Sequence, residues 1–260
     1  MKKLIYKYQE SAIKKYIRFT KGKKYTYAYS FWPYIKYIIN VDGSATVYFK
    51  NKFLFKSQPF ENLRKKIALE KCYILGSGPS VKKQNLSCLK NEAVITLNGS
   101  ILAAKEYNFK PILHLVMDAT FVRNRLDVLK KALDSDVPLG ISLSAIKALA
   151  IYALELIKNR RIYLLLNPLE NFPQPQKSVG ELNRENFVTD KEKCVAFSVN
   201  PQEGLFDGGT VMSLAIQLCH YMGVKSTYLL GLDISNANQP RFYENKGKQL
   251  KCGLLNDYDN

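Results

Sequence analysis

The residues in this chain best suited to chemistry form a glycine-rich turn after a short apolar segment. Residues 73–75 are Tyr-Ile-Leu, and the turn follows them directly. An apolar run ending in Gly-x-Gly is typical of a buried strand and a tight turn, where peptide N–H groups can bind a phosphate. The turn therefore predicts a site for a nucleotide or a nucleotide-activated group, the alternative being an ordinary loop. Its residues are Gly76, Ser77, Gly78, Pro79 and Ser80.

Three other predicted strand ends and one predicted helix start also carry small or polar residues. In an open parallel sheet, ligands bind beyond the carboxyl ends of the strands, so these groups should converge with the glycine-rich turn. The helix start would add backbone N–H donors and the positive end of a helix dipole. These residues are Asn98, Asp118, Asp233 and the run Gly208, Gly209 and Thr210.

Several side chains near this edge are candidates for catalysis or binding, each with a structural alternative. Asp118 could act as a base or accept a hydrogen bond from a sugar hydroxyl, or it could cap a loop. Arg123 and Arg125 could clamp a carboxylate or phosphate, or lie solvated at a helix start. Asp233 could bind a hydroxyl or cap its loop, and Tyr243 could donate to a phosphate or pack.

The elements that must position these residues alternate between strands and helices from residue 71 onward. This pattern predicts an α/β fold: a Rossmann-like, mostly parallel sheet with helices on both faces. Residues 167–204 lack periodicity and are predicted to form a long loop or lid. The last strand is expected to be buried. Predicted strands cover 72–75, 93–97, 112–117, 138–143, 162–166 and 226–230, and predicted helices cover 101–107, 126–133, 146–157 and 211–222.

Residues 1–70 form a basic, aromatic N-terminal region that we distinguish from the domain at 71–260. They hold 16 Lys/Arg against 4 Asp/Glu, out of a net charge of +17 for the 260 residues. The pattern predicts a basic helix over residues 3–19 and a small β-rich extension over 34–55. It suits a membrane-surface or anionic-glycan patch, or a solvated extension; no nucleic-acid motif is present, so no nucleic-acid partner is expected.

Composition narrows the functional classes further. Five irregularly spaced cysteines predict no disulfide framework, and two histidines without a Cys-x-x-Cys pair predict no metal site. The N-terminus breaks its apolar character with charge within a few residues, and no uncharged apolar run approaches the ~20 residues of a membrane span. We therefore expect a cytoplasmic protein.

The ordered motifs together resemble a family of bacterial lipopolysaccharide-core glycosyltransferases. The likeness is greatest to enzymes that add a branching Kdo (3-deoxy-octulosonic acid), and more distant to the family 42 sialyltransferases. It covers roughly residues 71–258. The motifs are Gly76–Ser80, Thr96–Ser100, Val116–Asp118 with Phe121 and Arg125, Asp207–Val211, Leu230–Ser235 and Arg241–Glu244.

The resemblance implies a transferase that moves Kdo or sialic acid from a CMP-activated donor by direct displacement, with no metal or other cofactor. Its acceptor would be a lipid A–core glycan, reached peripherally at the inner membrane surface, where the basic N-terminal region would bind. By the same resemblance, the nucleotide and donor carboxylate would be held by Ser77, Gly78, Asn98, Gly208, Gly209 and Thr210.

The chain departs from the sialyltransferase pattern in three ways. Asp118 stands where those enzymes have an asparagine, and no histidine follows His220, although they place a catalytic histidine in a late lid. Related chains continue beyond the equivalent of Asn260, which suggests a shortened member. The alternatives are therefore a catalytically inactive homologue that binds glycan or membrane, and an MptE-like pyrophosphokinase-type enzyme.

Overall fold

The architecture of the chain comes from a computed structural model. It describes residues 2–64, 70–134, 136–182, 185–234, 239–245, 247 and 249. The predicted resemblance over 250–258 and at 235–238 lies outside these residues. No helix in the described parts of the chain is both long and apolar enough to cross a membrane.

A six-stranded, fully parallel sheet forms the centre of the fold, in the spatial order β11 (Ser226–Leu230), β4 (Lys71–Leu75), β5 (Val94–Leu97), β6 (Leu113–Val116), β7 (Leu139–Ser142) and β8 (Ile162–Leu165). Successive strands add to one side of β4, and β11 returns to its other side, so the direction of strand order changes between β4 and β11.

Helices cover both faces of this sheet, which confirms the predicted fold class. Along β4, Ile74 packs into the core on one face and Leu75 into the core on the other, as the two-residue period of a strand requires. One core contains α3 (Ile101–Glu106), α4 (Ala119–Asn124), α5 (Leu126–Ala132) and α6 (Leu143–Tyr152); the other contains α2 (Glu61–Arg64) and α7 (Val211–Tyr221).

The N-terminal region begins with the basic helix that the sequence predicts, α1 (Lys2–Thr20), followed by a 3₁₀ segment, Lys23–Ser30. A three-stranded antiparallel sheet follows: β1 (Ile35–Ile39), β2 (Ala45–Phe49) and β3 (Lys52–Lys56). Buried side chains of this region, including Ile17 and Val47, belong to the same hydrophobic cluster as α3–α6. The region is therefore packed onto the parallel sheet.

Two predictions about local structure are wrong. The described part of 167–204 is not structureless, because it contains an antiparallel hairpin of β9 (Phe187–Asp190) and β10 (Val195–Ser198). The last strand, β11, is at the edge of the sheet, where Tyr228 is 48% and Leu229 is 40% exposed. A continuous apolar run predicts a strand, but it cannot distinguish an edge strand from a central one.

Candidate functional site

A cavity of about 550 Å³ lies at the carboxyl ends of β4, β5, β6 and β11. It is located where the order of the strands reverses, which is the position at which open α/β sheets bind ligands. Its volume is within the usual range for small-molecule sites, about 300–1,000 Å³. The predicted site residues that line it are Gly76, Ser77, Gly78, Pro79, Asn98, Asp118, Thr210 and Asp233.

The glycine-rich turn is fixed by the loop that follows β11. The Gly76 N–H donates to the Leu230 carbonyl at 2.8 Å, and the Gly78 N–H donates to the Gly231 carbonyl at 3.0 Å. A Cβ on Gly76 or Gly78 would lie 2.7 Å from the Gly231 carbonyl oxygen, closer than real Cβ atoms approach. The glycines thus permit two backbones to meet. Since both amides are satisfied within the protein, an anion in the cavity would need other donors.

Asp233 completes this junction from the β11 side. Its Oδ2 accepts hydrogen bonds from the Ser80 N–H at 3.0 Å and from the Ser80 hydroxyl at 2.7 Å. These bonds fix the start of the 3₁₀ segment Pro79–Lys83. Asp233 thus caps the segment after the glycine-rich turn and not its own loop, and its predicted binding of a hydroxyl stays a prediction.

Asn98 leaves a polar atom of the cavity unsatisfied. It follows β5 with a positive φ of 49°, a left-handed conformation that asparagine tolerates better than most residues. Its Oδ1 is buried and has no hydrogen-bond partner among the described residues. A buried acceptor without a partner costs free energy, so a ligand that donates a hydrogen bond here would gain affinity.

Another part of the cavity lining comes from the residues that follow β11. Glu244, whose side chain is 1% exposed, pairs with Arg125 at 2.8 Å and with Arg241 at 3.3 Å. Arg241 lines the cavity, while Tyr243 packs its ring against Gly99. Burial raises the pKa of the Tyr243 phenol to about 12, so it stays protonated at neutral pH and can donate a hydrogen bond.

Two predicted residues open helices at this edge. Asp118 is the N-cap of α4, its Oδ1 accepting from the Thr120 N–H at 2.6 Å, and its side chain is exposed. Thr210 is the N-cap of α7, accepting from the Met212 N–H. The two preceding residues, Gly208 and Gly209, have positive φ values of 48° and 75°, which a tight reversal needs. The predicted helix start is therefore present at the cavity.

Arg123 is not among the described residues that line the cavity. Its guanidinium pairs with Glu10 of α1 at 3.3 Å. The same carboxylate contacts Lys147 of α6, a lysine that is 2% exposed, at 2.8 Å. Burial lowers the pKa of Lys147, and the Glu10 carboxylate opposes that effect. Arg123 thus joins α1 to the core, and its predicted catalytic role stays a prediction.

Sequence reasoning did not identify several residues of this site. The sequence places Arg241 and Glu244 in a motif but predicts no role for either. Thr120 and Asn124 also line the cavity, and their signal was their position just after the third predicted strand. The described residues contain no cluster of three or more His, Cys, Asp or Glu that could hold a metal ion.

Comparisons with known proteins include a family match over most of the chain. A family model described as 6-hydroxymethylpterin diphosphokinase MptE-like matches residues 46–239. A probable 3-deoxy-manno-octulosonic acid transferase from Salmonella typhimurium is 41% identical over 56 residues. That match covers 22% of this chain and 21% of the relative, so it spans about a fifth of the relative's length. The structure of the MAf glycosyltransferase from Magnetospirillum magneticum AMB-1 aligns with a TM-score of 0.43 and 15% identity, covering 65% of this chain and 24% of that one.

Proposed function

This chain belongs to the 6-hydroxymethylpterin diphosphokinase MptE-like family, and we propose that it is a glycosyltransferase that uses a CMP-activated 2-keto acid sugar. The donor would be CMP-Kdo or CMP-sialic acid, and the acceptor a lipid A–core glycan. The short match to a probable 3-deoxy-manno-octulosonic acid transferase supports this sugar class.

The observation that carries the proposal is the cavity at the junction of β4 and β11. It combines an unsatisfied buried acceptor on Asn98, the N-terminus of α7 at Thr210 and the cationic side chain of Arg241. An amino group of a base or a sugar hydroxyl would satisfy the acceptor. The helix end and the arginine would stabilise an anion.

The charge of the cavity favours binding of a nucleoside monophosphate over a nucleoside triphosphate. Among its described lining residues, the charged side chains are Arg241, Asp118 and Asp233. One arginine and one helix N-terminus can neutralise the developing charge on CMP. A triphosphate carries more negative charge and usually requires Mg²⁺ and lysine side chains.

We also propose that the three-stranded N-terminal sheet binds the inner membrane surface from the cytoplasmic side. Ile38 is 58% and Phe53 is 65% exposed, and the strand pairing places them on one face of this sheet with the exposed Lys36 and Lys56. Exposed apolar groups among lysines suit an anionic bilayer.

Co-sedimentation should therefore be stronger with vesicles that contain phosphatidylglycerol than with phosphatidylcholine vesicles. An Ile38→Ser, Phe53→Ser variant should lose at least about tenfold in affinity. The control Val188→Ser, at a residue 65% exposed on β9, should not. Equal sedimentation of all three proteins would contradict this surface.

The second candidate is a diphosphate transfer of the kind that the family description names. The family match is compatible with it, and the carboxylates of Asp118 and Asp233 on one cavity are ligands that Mg²⁺ accepts. In that case ATP would bind with magnesium and stabilise the protein, whereas CMP-sugars would not.

Thermal unfolding in the presence of each nucleotide separates these functions. A ligand at 100 times its Kd stabilises the fold by about 2.7 kcal/mol, so CMP, CMP-Kdo or CMP-sialic acid should raise Tm without magnesium. Asn98→Gly, which keeps the positive φ accessible, should weaken CMP binding about tenfold. Asn108→Gly is the matched control, because Asn108 also has a positive φ, of 52°, and is exposed. No stabilisation by any CMP compound would refute the proposal, and binding without transfer would indicate an inactive homologue.

A further inference from the structure

A second, smaller cavity opens at the same edge of the sheet, beyond the ends of β6, β7 and β8. Its volume is about 190 Å³. Its apolar lining includes Phe31, and its polar lining comes from Ser30, Ser142, Ser144, Asn167, Glu170 and Asp207. The Glu170 segment is in the stretch 167–204, which the sequence predicts to be a long loop or lid.

This cavity shares two walls with the cavity at the β4–β11 junction. Met117 lines the smaller cavity and Asp118, the next residue, lines the larger one. Asp207 and Leu214 line the smaller cavity, while Thr210, between them in the chain, lines the larger one. The loop after β6 and the start of α7 therefore separate two neighbouring chambers.

We propose that the smaller cavity binds the acceptor sugar and that Glu170 accepts the proton of the attacking hydroxyl. This inference rests on the proposed glycosyltransferase function and gives that function its second substrate site and its base. The ligand class is a neutral, hydroxyl-rich sugar. Phe31 and the leucines would contact its C–H face, while the polar side chains would bind its hydroxyls.

The charges of the lining agree with a neutral ligand. Glu170 and Asp207 both carry carboxyl groups, and the polar lining described above contains no cation, so a second phosphate would be repelled. The Ser142 and Ser144 hydroxyls both donate to the Met117 carbonyl, at 2.6 and 3.2 Å, which holds the partition between the chambers in place.

Glu170 is in a suitable state to exchange a proton near neutral pH. Its carboxyl receives one long hydrogen bond, 3.5 Å from the Gln176 amide, within the described part of the chain. Burial, and then the nearby Asp207 carboxylate, raise its pKa from 4.5 to about 7. Tyr27 of the N-terminal 3₁₀ segment also faces it, as a neutral phenol whose own pKa is raised by its burial. A base with a pKa near the working pH is an efficient proton acceptor.

The transfer step needs only the donor, the acceptor hydroxyl and Glu170. The acceptor oxygen forms a bond to the anomeric carbon of the donor sugar as the bond from that carbon to the CMP phosphate oxygen breaks. The electron pair of the broken bond leaves on CMP. The hydroxyl proton moves to a carboxylate oxygen of Glu170, which later releases it to water.

The test compares wild type, Glu170→Gln and the control Glu192→Gln, which makes the same change at an exposed residue of the β9–β10 turn. CMP binding is measured by thermal shift, and transfer from CMP-Kdo or CMP-sialic acid to lipid A–core acceptor is measured between pH 5 and 9. Glu170→Gln should bind CMP as wild type does and lose about 10²–10⁴-fold in transfer. The wild-type rate should rise with pH through about 7, and this rise should be absent in Glu170→Gln.

Two results would overturn the inference, and they can be told apart. Wild type that neither binds nor transfers from any CMP donor refutes the proposed function and this role with it. Wild type that transfers, while Glu170→Gln transfers equally well with the same pH profile, refutes only the role of Glu170. Glutamine has nearly the size of glutamate, so the variant is expected to fold. Intact CMP binding would show that it is folded.

Discussion

Replacing Gly78 with alanine tests the junction that builds the larger cavity. The added Cβ would lie 1.8 Å from Asp233 Oδ2 and 2.7 Å from the Gly231 carbonyl oxygen, whereas an ordinary contact begins near 3.4 Å. Asp233 would have to retreat by about 1.5 Å, which breaks its bonds of 3.0 and 2.7 Å from Ser80. Overpacking costs about 1–3 kcal/mol, and losing hydrogen bonds to a charged group costs about 1.5–3 kcal/mol. We therefore expect a total loss of about 3–5 kcal/mol.

Urea unfolding of Gly78→Ala measures this loss, and the melting temperature should fall by roughly 10 °C. The matched control is Gly180→Ala, because the nearest atom to a Cβ there is 3.9 Å away. In an Asp233→Ala background, Gly78→Ala should cost less, since only the clash with the Gly231 carbonyl remains. Equal stability of the two alanine variants, or an equal loss in both backgrounds, would refute the reasoning.

Three other predictions concern charge. The pKa of Glu170 is raised from 4.5 to about 7, so between these pH values the folded protein holds a proton that the unfolded chain has lost. As pH rises from 4.5 to 8, the free energy of unfolding of wild type should therefore fall by up to about 3 kcal/mol relative to Glu170→Gln. Urea titrations at each pH measure this, and parallel pH dependences of the two proteins would contradict it. Glu244→Gln removes the negative charge that pairs with two arginines and should lower the free energy of unfolding by about 2–3 kcal/mol, as measured by thermal unfolding. A loss under about 0.5 kcal/mol would mean that stability does not depend on this buried pairing. Glu10→Ala leaves the buried ammonium of Lys147 without its carboxylate partner and should lower the free energy of unfolding by about 3 kcal/mol. Lys147→Met should lower it by less than about 1 kcal/mol. Denaturant titration measures both, and the reverse order would refute the ion-pair argument.

The sequence alone was sufficient to predict the parallel sheet and the edge at which the site is found. Short apolar runs that end in glycine or a polar residue mark the strand ends, and Asn98, Asp118 and Thr210 do meet at one cavity. These signals are local, because the period of two in a strand and the capping residues of a helix act within a few positions.

Partners that are distant in the chain were beyond such reasoning. Glu10 and Arg123 are 113 residues apart, and Ser80 and Asp233 are 153 apart, so no local pattern connects them. The exposure of β11 depends on strand order, which its own residues do not specify. The sequence places Glu170 in a long loop or lid, but its burial beside Asp207 is visible only in the folded chain.

The pairing of β4 with β11 also determines when the cavity can exist during folding. Strands β4 to β8 can each join a neighbour soon after it emerges from the ribosome, since consecutive strands pair. The larger cavity instead needs Asp233 to reach Ser80 across 153 residues, a closure that is slow because long loops are costly in entropy. A ligand that contacts both loops binds only after this last docking event. Its binding therefore reports the completion of the fold, which sheet formation alone would not reveal.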